Sequence, residues 1–163
     1  MNKKREDDFE RLFEEHAADL LGFLAYRLGD RAAAEDVLAD TFERVLRTRV
    51  RFDRRRGSEK TWLYSIALNV VRDRARRRAA EQRAYERVQT APAGPDDELQ
   101  ALAGRDALLR ALGELSEEER QAVALRYGGD LTVPEIAKLT GEPLTTVEGR
   151  VYRALRKLRD MLE

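Results

Sequence analysis

Cysteine is absent from the 163-residue chain, and histidine and tryptophan occur once each, as His16 and Trp62. Without cysteine there are no disulfides and no thiolate metal sites. One histidine gives a histidine-based metal centre or acid–base pair almost nothing to work with. Aromatics are 7% of the residues and charged side chains 38%, so any core is modest and built mainly from Leu, Ala and Val. No apolar run approaches the roughly 20 residues of a membrane span. The charged start Met1-Asn-Lys-Lys-Arg-Glu-Asp-Asp has no apolar stretch behind it, and no secretory signal is visible. An excess of either charge is also missing, since 31 basic residues balance 31 acidic ones.

What is present is a strong segregation of that charge. Residues 1–43 carry 6 basic and 12 acidic side chains, residues 44–87 carry 15 and 5, residues 88–122 carry 3 and 8, and residues 123–163 carry 7 and 6. One basic block in the first half is the electrostatic feature to explain.

Apolar periodicity predicts an almost wholly helical chain. Phe9, Leu12, Phe13, His16, Leu20, Phe23, Leu24 and Leu28 mark a first helix, ended by Gly29-Asp30. Ala34, Val37, Leu38, Thr41, Phe42, Val45 and Leu46 form one stripe of a second. Thr48 to Ser58 lacks periodicity and is expected as a loop. A third helix runs from about Glu59 into the eighties, with Leu63, Ile66, Ala67, Val70 and Val71 buried. Gln89-Thr-Ala-Pro-Ala-Gly-Pro95 cannot extend a helix and is expected as a linker. Asp96-Asp97-Glu98 then places acids at a new helix start, followed by Leu99, Leu102, Leu108, Leu109 and Leu112. Ser116/Glu119, Thr132/Glu135 and Thr145/Glu148 have the spacing of capping boxes. Gly128-Gly129 stops the helix begun at Ser116. The fold class expected is all-α: two small helical domains, 1–88 and 99–163, joined by a flexible linker at 89–98.

Three stretches carry candidate chemistry. Thr132 to Glu163 has the form of a helix-turn-helix: a short helix, a turn at Leu139–Pro143, then a basic helix. On that helix Val147, Val151, Ala154, Leu155, Leu158 and Leu162 face a core. Thr145, Thr146, Glu148, Gly149, Arg150, Tyr152, Arg153 and Lys157 lie opposite, with the first turns placed for the major groove. A plain surface helix with solvated arginines fits the same spacing. In the third helix, Trp62 and Tyr64 stand upstream of Arg72, Arg74, Arg76, Arg77 and Arg78. Aromatics beside arginines suit single-stranded nucleic acid, although by periodicity alone the core reading of the two rings is favoured. In the second helix Asp36, Asp40 and Glu43 share a face, suited to solvent or to a docking partner rather than to catalysis.

Together these pieces resemble a bacterial RNA polymerase sigma factor of the extracytoplasmic function group of the sigma-70 family. The resemblance runs from Phe9 to Leu162. Ala34-Glu-Asp-Val-Leu-Ala-Asp-Thr-Phe42 is similar to the family's polymerase-docking helix, and Trp62-Leu-Tyr-Ser-Ile-Ala-Leu-Asn69 to its promoter-melting segment. Leu112 to Tyr127 is similar to the start of its C-terminal domain, and Thr132 to Leu158 to its final helix-turn-helix.

The resemblance implies a specificity subunit rather than an enzyme, with no cofactor and no metal. Asp36, Asp40, Phe42 and Glu43 would dock on the β and β′ subunits of core polymerase. The loop from Phe52 to Lys60 would capture a flipped −10 base. Trp62 and Asn69 would engage the −10 element, with Arg72, Arg76 and Arg77 on the backbone. Thr145, Thr146, Glu148, Arg150, Tyr152, Arg153 and Lys157 would read the −35 element. Promoter DNA and an anti-sigma factor are the other partners implied, in the cytoplasm and without membrane contact.

The chain departs from the family pattern at Ala39, where Gln is usual, and at Glu142, where an apolar residue usually packs. Glu148-Gly149 replaces a basic residue and Ser. Affinity for the −35 element is therefore expected to lean on Arg150 and Arg153, with Glu148 either accepting from cytosine or capping with Thr145. The linker suggests a monomer with mobile domains. A helix-turn-helix regulator working without polymerase, or a degenerate sigma-like interaction protein, would also fit parts of the pattern.

Overall fold

A computed structural model describes residues 3–48, 52–86 and 103–163. Seven α-helices and no strand occur among the described residues. Helix α1 spans Lys3–Leu28 and buries Leu12, Leu20, Phe23 and Leu24 at the expected steps. Gly29, at φ 69°, takes the left-handed turn that ends it. Asp30 then caps α2 (Arg31–Thr48), its carboxylate accepting from the backbone of Ala32 at 2.9 Å and Ala33 at 3.4 Å. Helix α2 buries Ala33, Ala34, Val37, Thr41, Phe42 and Val45, while Leu46, expected on the buried stripe, is exposed.

The basic loop holds one 3-10 turn at Arg54–Arg56, begun by Asp53. Ser58 starts α3 (Glu59–Glu86), its hydroxyl accepting from the Thr61 amide at 3.1 Å. The helix has two unlike halves. Leu63, Tyr64, Ala67, Leu68, Val70 and Val71 are buried, whereas every residue from Ala75 to Tyr85 is exposed. The arginine-rich half therefore projects from the body. The linker expected at 89–98 and the acidic helix start with Leu99 and Leu102 lie outside the described residues.

The second part comprises α4 (Ala103–Gly113), α5 (Glu117–Val123), α6 (Val133–Thr140) and α7 (Leu144–Leu162). Two of the three capping boxes form: Ser116 with Glu119, and Thr132 with Glu135. The third does not. Helix α7 begins one residue before Thr145, and its cap is Pro143, which has no side chain to accept a bond. Proline's fixed φ, here −60°, starts the helix instead. Helix α5 continues into a π turn, Ala124–Gly128, which local periodicity did not announce. Gly141 takes the left-handed conformation (φ 70°) between α6 and α7. Leu162, expected in the core, is exposed at the end of α7.

The two helical parts do not stand apart. Leu12, Phe23, Tyr64 and Val70 of the first and Leu125, Leu131, Ile136 and Val147 of the second belong to one continuous core. A smaller cluster of Ala111, Leu112, Leu115, Val123, Ala154 and Leu158 holds α4 on α5 and α7.

Candidate polymerase and promoter interfaces

On α2, Asp36, Asp40 and Glu43 fall at four- and three-residue steps, with side chains 71%, 48% and 58% exposed. They are not bare. Arg74 of α3 lies 3.7 Å from both Asp36 and Asp40, and Arg47 pairs with Glu43. These exposed pairs are weak and exchangeable, so the acids stay available to a basic partner surface. Phe42, expected to dock, is 5% exposed and packs edge-on against Phe9 and Phe13. It supports the helix from behind. Ala39 is exposed between the acids.

On α3, Asn69, Arg72 and Arg76 are exposed, and their steps of three and four align them on one face one turn apart. Trp62 lies seven residues before Asn69 on that face. It is half-buried, with its ring 5.2 Å from that of Phe52. Arg77 is exposed beside this row. Asp73 interrupts the basic field. Arg44 donates to it at 2.9 Å and Arg76 at 2.8 Å, and the Arg44 hydrogen bond above all holds its carboxyl below the usual range. The pair of readings open for the aromatics thus splits: Trp62 is part surface, and Tyr64 is fully buried.

On α7, Thr145, Glu148, Tyr152 and Arg153 are exposed and Thr146 is half-buried. Tyr152 is 67% exposed, far more than an aromatic ring needs for packing alone. Glu148 is not the cap partner of Thr145, because the box does not form, so its carboxylate is free to face a ligand. Gly149 has the Arg153 guanidinium lying over it; a Cβ there would sit 3.0 Å from Nη1.

Two expected reading residues are otherwise engaged. Arg150 is bound by Glu142, whose two carboxylate oxygens lie 2.6 and 2.5 Å from Nη1. The Arg150 bond holds the Glu142 carboxyl below its ordinary range, and Glu142 raises Arg150 in turn. The acid that replaces an apolar turn residue thereby has its own partner. Lys157 donates to both oxygens of the buried Glu119 at 2.9 and 3.0 Å. That bond links α7 to the capping box of α5 and depresses the Glu119 carboxyl.

Sequence reasoning missed the contacts between the two parts. The Tyr64 hydroxyl donates to the Gly129 carbonyl at 3.3 Å, and Lys60 donates to the Asp130 carbonyl at 3.1 Å. An isolated Gly22 within an otherwise helical pattern was the one available sign of a close approach. Glu15, His16 and Glu59 also come within 4.8 Å of one another. Arg11 bonds both acids, so the cluster is an ion-pair network tying α1 to the start of α3. Burial holds the His16 imidazole below its ordinary pKa.

An exposed acidic face on α2, a projecting basic helix with an aromatic at its base, and a helix-turn-helix suit a protein that handles DNA together with a protein partner. The comparisons agree. The family model for Sigma-70 region 2 matches residues 12–81, and that for Sigma-70 region 4 matches residues 105–158. The chain is 37% identical to the RNA polymerase sigma factor CarQ of Myxococcus xanthus, over 96% of this chain and 90% of the relative. It is 30% identical to the ECF RNA polymerase sigma factor BldN of Streptomyces coelicolor, over 96% of this chain and 61% of that protein. Among solved structures, the sigma factor RpoE of Bartonella quintana, in complex with the anti-sigma factor NepR, superposes with a TM-score of 0.77. It is 24% identical, over 95% of this chain and 96% of its own. CnrH, in complex with the cytosolic domain of CnrY, gives 0.69 at 26% identity, over 96% of this chain and 88% of CnrH.

The chain belongs to the extracytoplasmic function group of the sigma-70 family. It is a sigma factor, binding core RNA polymerase to direct promoter-specific initiation. No helix of the described residues is long and apolar enough to cross a membrane.

Proposed function

We propose that residues 1–88 act as the polymerase-binding and −10-melting domain, 89–98 as the linker and 99–163 as the −35-reading domain. The observation that carries this is the pairing, in one chain, of two exposed and chemically unlike DNA faces. One is the row Asn69, Arg72 and Arg76, with Arg77 beside it, above the half-buried Trp62. It suits an unwound strand, with the ring available for stacking and the arginines for phosphates. The other is Thr145, Thr146, Glu148, Tyr152 and Arg153 at the start of a recognition helix, the geometry of major-groove readout.

Asp36, Asp40 and Glu43 form the polymerase-docking surface, exchanging their weak Arg74 and Arg47 contacts for a basic partner on the large subunits. Strand opening in this scheme is driven by binding energy and needs no hydrolysis, so the protein works as a non-enzymatic subunit. It works in the cytoplasm, where polymerase and promoter are found. An anti-sigma factor is a further partner; the fold shared with RpoE, which is bound to NepR, supports that assignment.

Arg153 and Tyr152 carry the −35 preference. Arg150 acts through Glu142, and Lys157 through Glu119, as positioning residues. The deciding experiment mixes the protein with core polymerase and a library of promoter fragments. Promoter-dependent transcripts are expected. Duplex binding without core, and no transcripts with it, would instead mark a polymerase-independent regulator. Failure of both would mark an interaction protein.

A further inference from the structure

Arg153 reaches backwards along α7. Helical side chains tilt toward the N-terminus of their helix, so a long one covers the turn before its own Cα. Arg153 follows this rule and lays its guanidinium on the backbone of Gly149, four residues earlier. A Cβ built on Gly149 would have three atoms of that group as its nearest neighbours: Nη1 at 3.0 Å, Cζ at 3.7 Å and Nη2 at 3.8 Å. The first distance is tighter than side-chain packing ordinarily allows. The seat exists because residue 149 has no side chain.

Backbone geometry does not call for glycine at this position. Gly149 lies inside a regular helix, and the glycines with positive φ are Gly29, Gly57 and Gly141. In a helix interior only proline is less favourable than glycine. What the glycine provides here is room.

The seated guanidinium is also free to bind. Arg150 is held by Glu142 and Lys157 by Glu119. Among the described residues, no carboxylate or carbonyl binds Arg153. The acid that feels its charge, Glu119, already has Lys157 as its partner.

Thr145, Gly149 and Arg153 follow one another at four-residue steps on the side of α7 away from its core. The Arg153 guanidinium therefore stands about one turn, roughly 5.4 Å, nearer the start of the helix than its own Cα. That is the part of a recognition helix that meets base edges. A guanidinium in that place pairs bidentately with O6 and N7 of guanine.

We infer that Gly149 is a specificity-determining position acting through Arg153: its missing side chain seats the arginine at the level of residue 149, and the base facing that level is read as guanine. The Ser usual at this place in the family would put its own atoms where this chain puts the guanidinium. The inference rests on the assignment of α7 as the −35 recognition helix.

The test uses holoenzyme assembled with the full chain and promoter fragments randomised across the −35 region. Bound sequences are counted, which gives a base preference at each pair whatever the amount of DNA bound. The variants are Gly149→Ala, Gly149→Val, Arg153→Ala, and Gly149→Val combined with Arg153→Ala. Alanine and valine both favour helix over glycine, so α7 is not weakened and Tm should not fall. The wild type is expected to select guanine by about 5- to 150-fold at one pair. Arg153→Ala should flatten that pair. Gly149→Ala requires the guanidinium to give by only a few tenths of an ångström, and should reduce the preference in part. Gly149→Val, branched at Cβ, should abolish it or move it to the adjacent pair. In the Arg153→Ala background Gly149→Val should change nothing further.

An unchanged guanine preference in both Gly149 variants would overturn the inference. So would a shift by Gly149→Val that persists without Arg153, which would make the new side chain the reader. Uniform weakening of all sequences by Arg153→Ala, the mark of a phosphate contact, would overturn it too, as would selection of another base at the pair Arg153 governs. Each of these leaves α7 as the reading helix. If the wild-type holoenzyme selected no base anywhere in the −35 region, that assignment would fail and the inference with it.

Discussion

Replacing Glu142 by alanine should make the protein less stable and its promoter binding more salt-sensitive. In the wild type the Glu142 carboxylate grips Arg150 Nη1 through both oxygens. The side chains are 29% and 23% exposed. A hydrogen bond to a charged group contributes about 1.5–3 kcal/mol, and a solvent-exposed ion pair about 0–1. The partial exposure here places the loss at about 1–2 kcal/mol. For a chain of this size that is a fall of about 2–8 °C in Tm, readable by circular dichroism. The freed arginine adds one cation near the proposed DNA face, which should steepen the log–log salt dependence of holoenzyme binding by about 0.9 per new phosphate contact. Fluorescence anisotropy on a −35 promoter fragment across a salt series reads the slope. Arg150→Ala is the control: similar loss of stability, no steeper slope. An unchanged Tm together with an unchanged slope for Glu142→Ala would refute the reasoning.

Other expectations follow from the same geometry. Arg153→Ala should weaken holoenzyme binding to the −35 element by about 1–3 kcal/mol, and more than Arg150→Ala does; equal losses would restore Arg150 as a direct reader. Glu119→Gln and Lys157→Met should each lower stability, with a double-mutant cycle giving a coupling of at least about 0.5 kcal/mol and a zero coupling contradicting the link between α5 and α7. Asp36→Asn with Asp40→Asn should weaken core-polymerase binding at low salt while leaving Tm nearly unchanged, because their contacts with Arg74 are long and exposed; an unaffected pull-down with core would remove them from the docking face. The acid limb of stability should come in two parts. His16 has a folded pKa below its ordinary value, so the unfolded chain binds more protons and stability falls as pH drops below about 6.5. Glu119, Glu135 and Glu142 have depressed folded pKa values, so their contribution is present above about pH 4.3 and is lost as pH falls through the folded values. Denaturation midpoints across pH, with His16→Asn removing only the first part, test this.

Much of the placement of the candidate site residues on shared helix faces is legible in the sequence because its signals are local. The steps of three and four residues that align Asp36, Asp40 and Glu43, or Asn69, Arg72 and Arg76, are properties of any helix. Capping at Ser116 and Thr132 needs only a side chain three residues from its partner. Thr145 shows where that logic stops: the same spacing occurs, yet the cap falls two residues earlier, at Pro143, and Glu148 does not close a capping box with Thr145. Phe42 shows a second limit. Its place in the motif says it matters, but only the neighbouring Phe9 and Phe13 rings show that it works from inside.

By itself the sequence determined the all-helical class, the order of the elements and the family, since helix periodicity, caps and motif order are short-range properties written along one chain. The tertiary structure alone decided which charged residues are free. Arg150 and Lys157 look like reading residues on a helical wheel, but Glu142 and Glu119, eight and thirty-eight positions away, claim them through space. It alone also decided that the two domains meet. Two glycines 106 positions apart in sequence become a close backbone contact only when α1 and the π turn are laid against each other, and no local pattern carries that information.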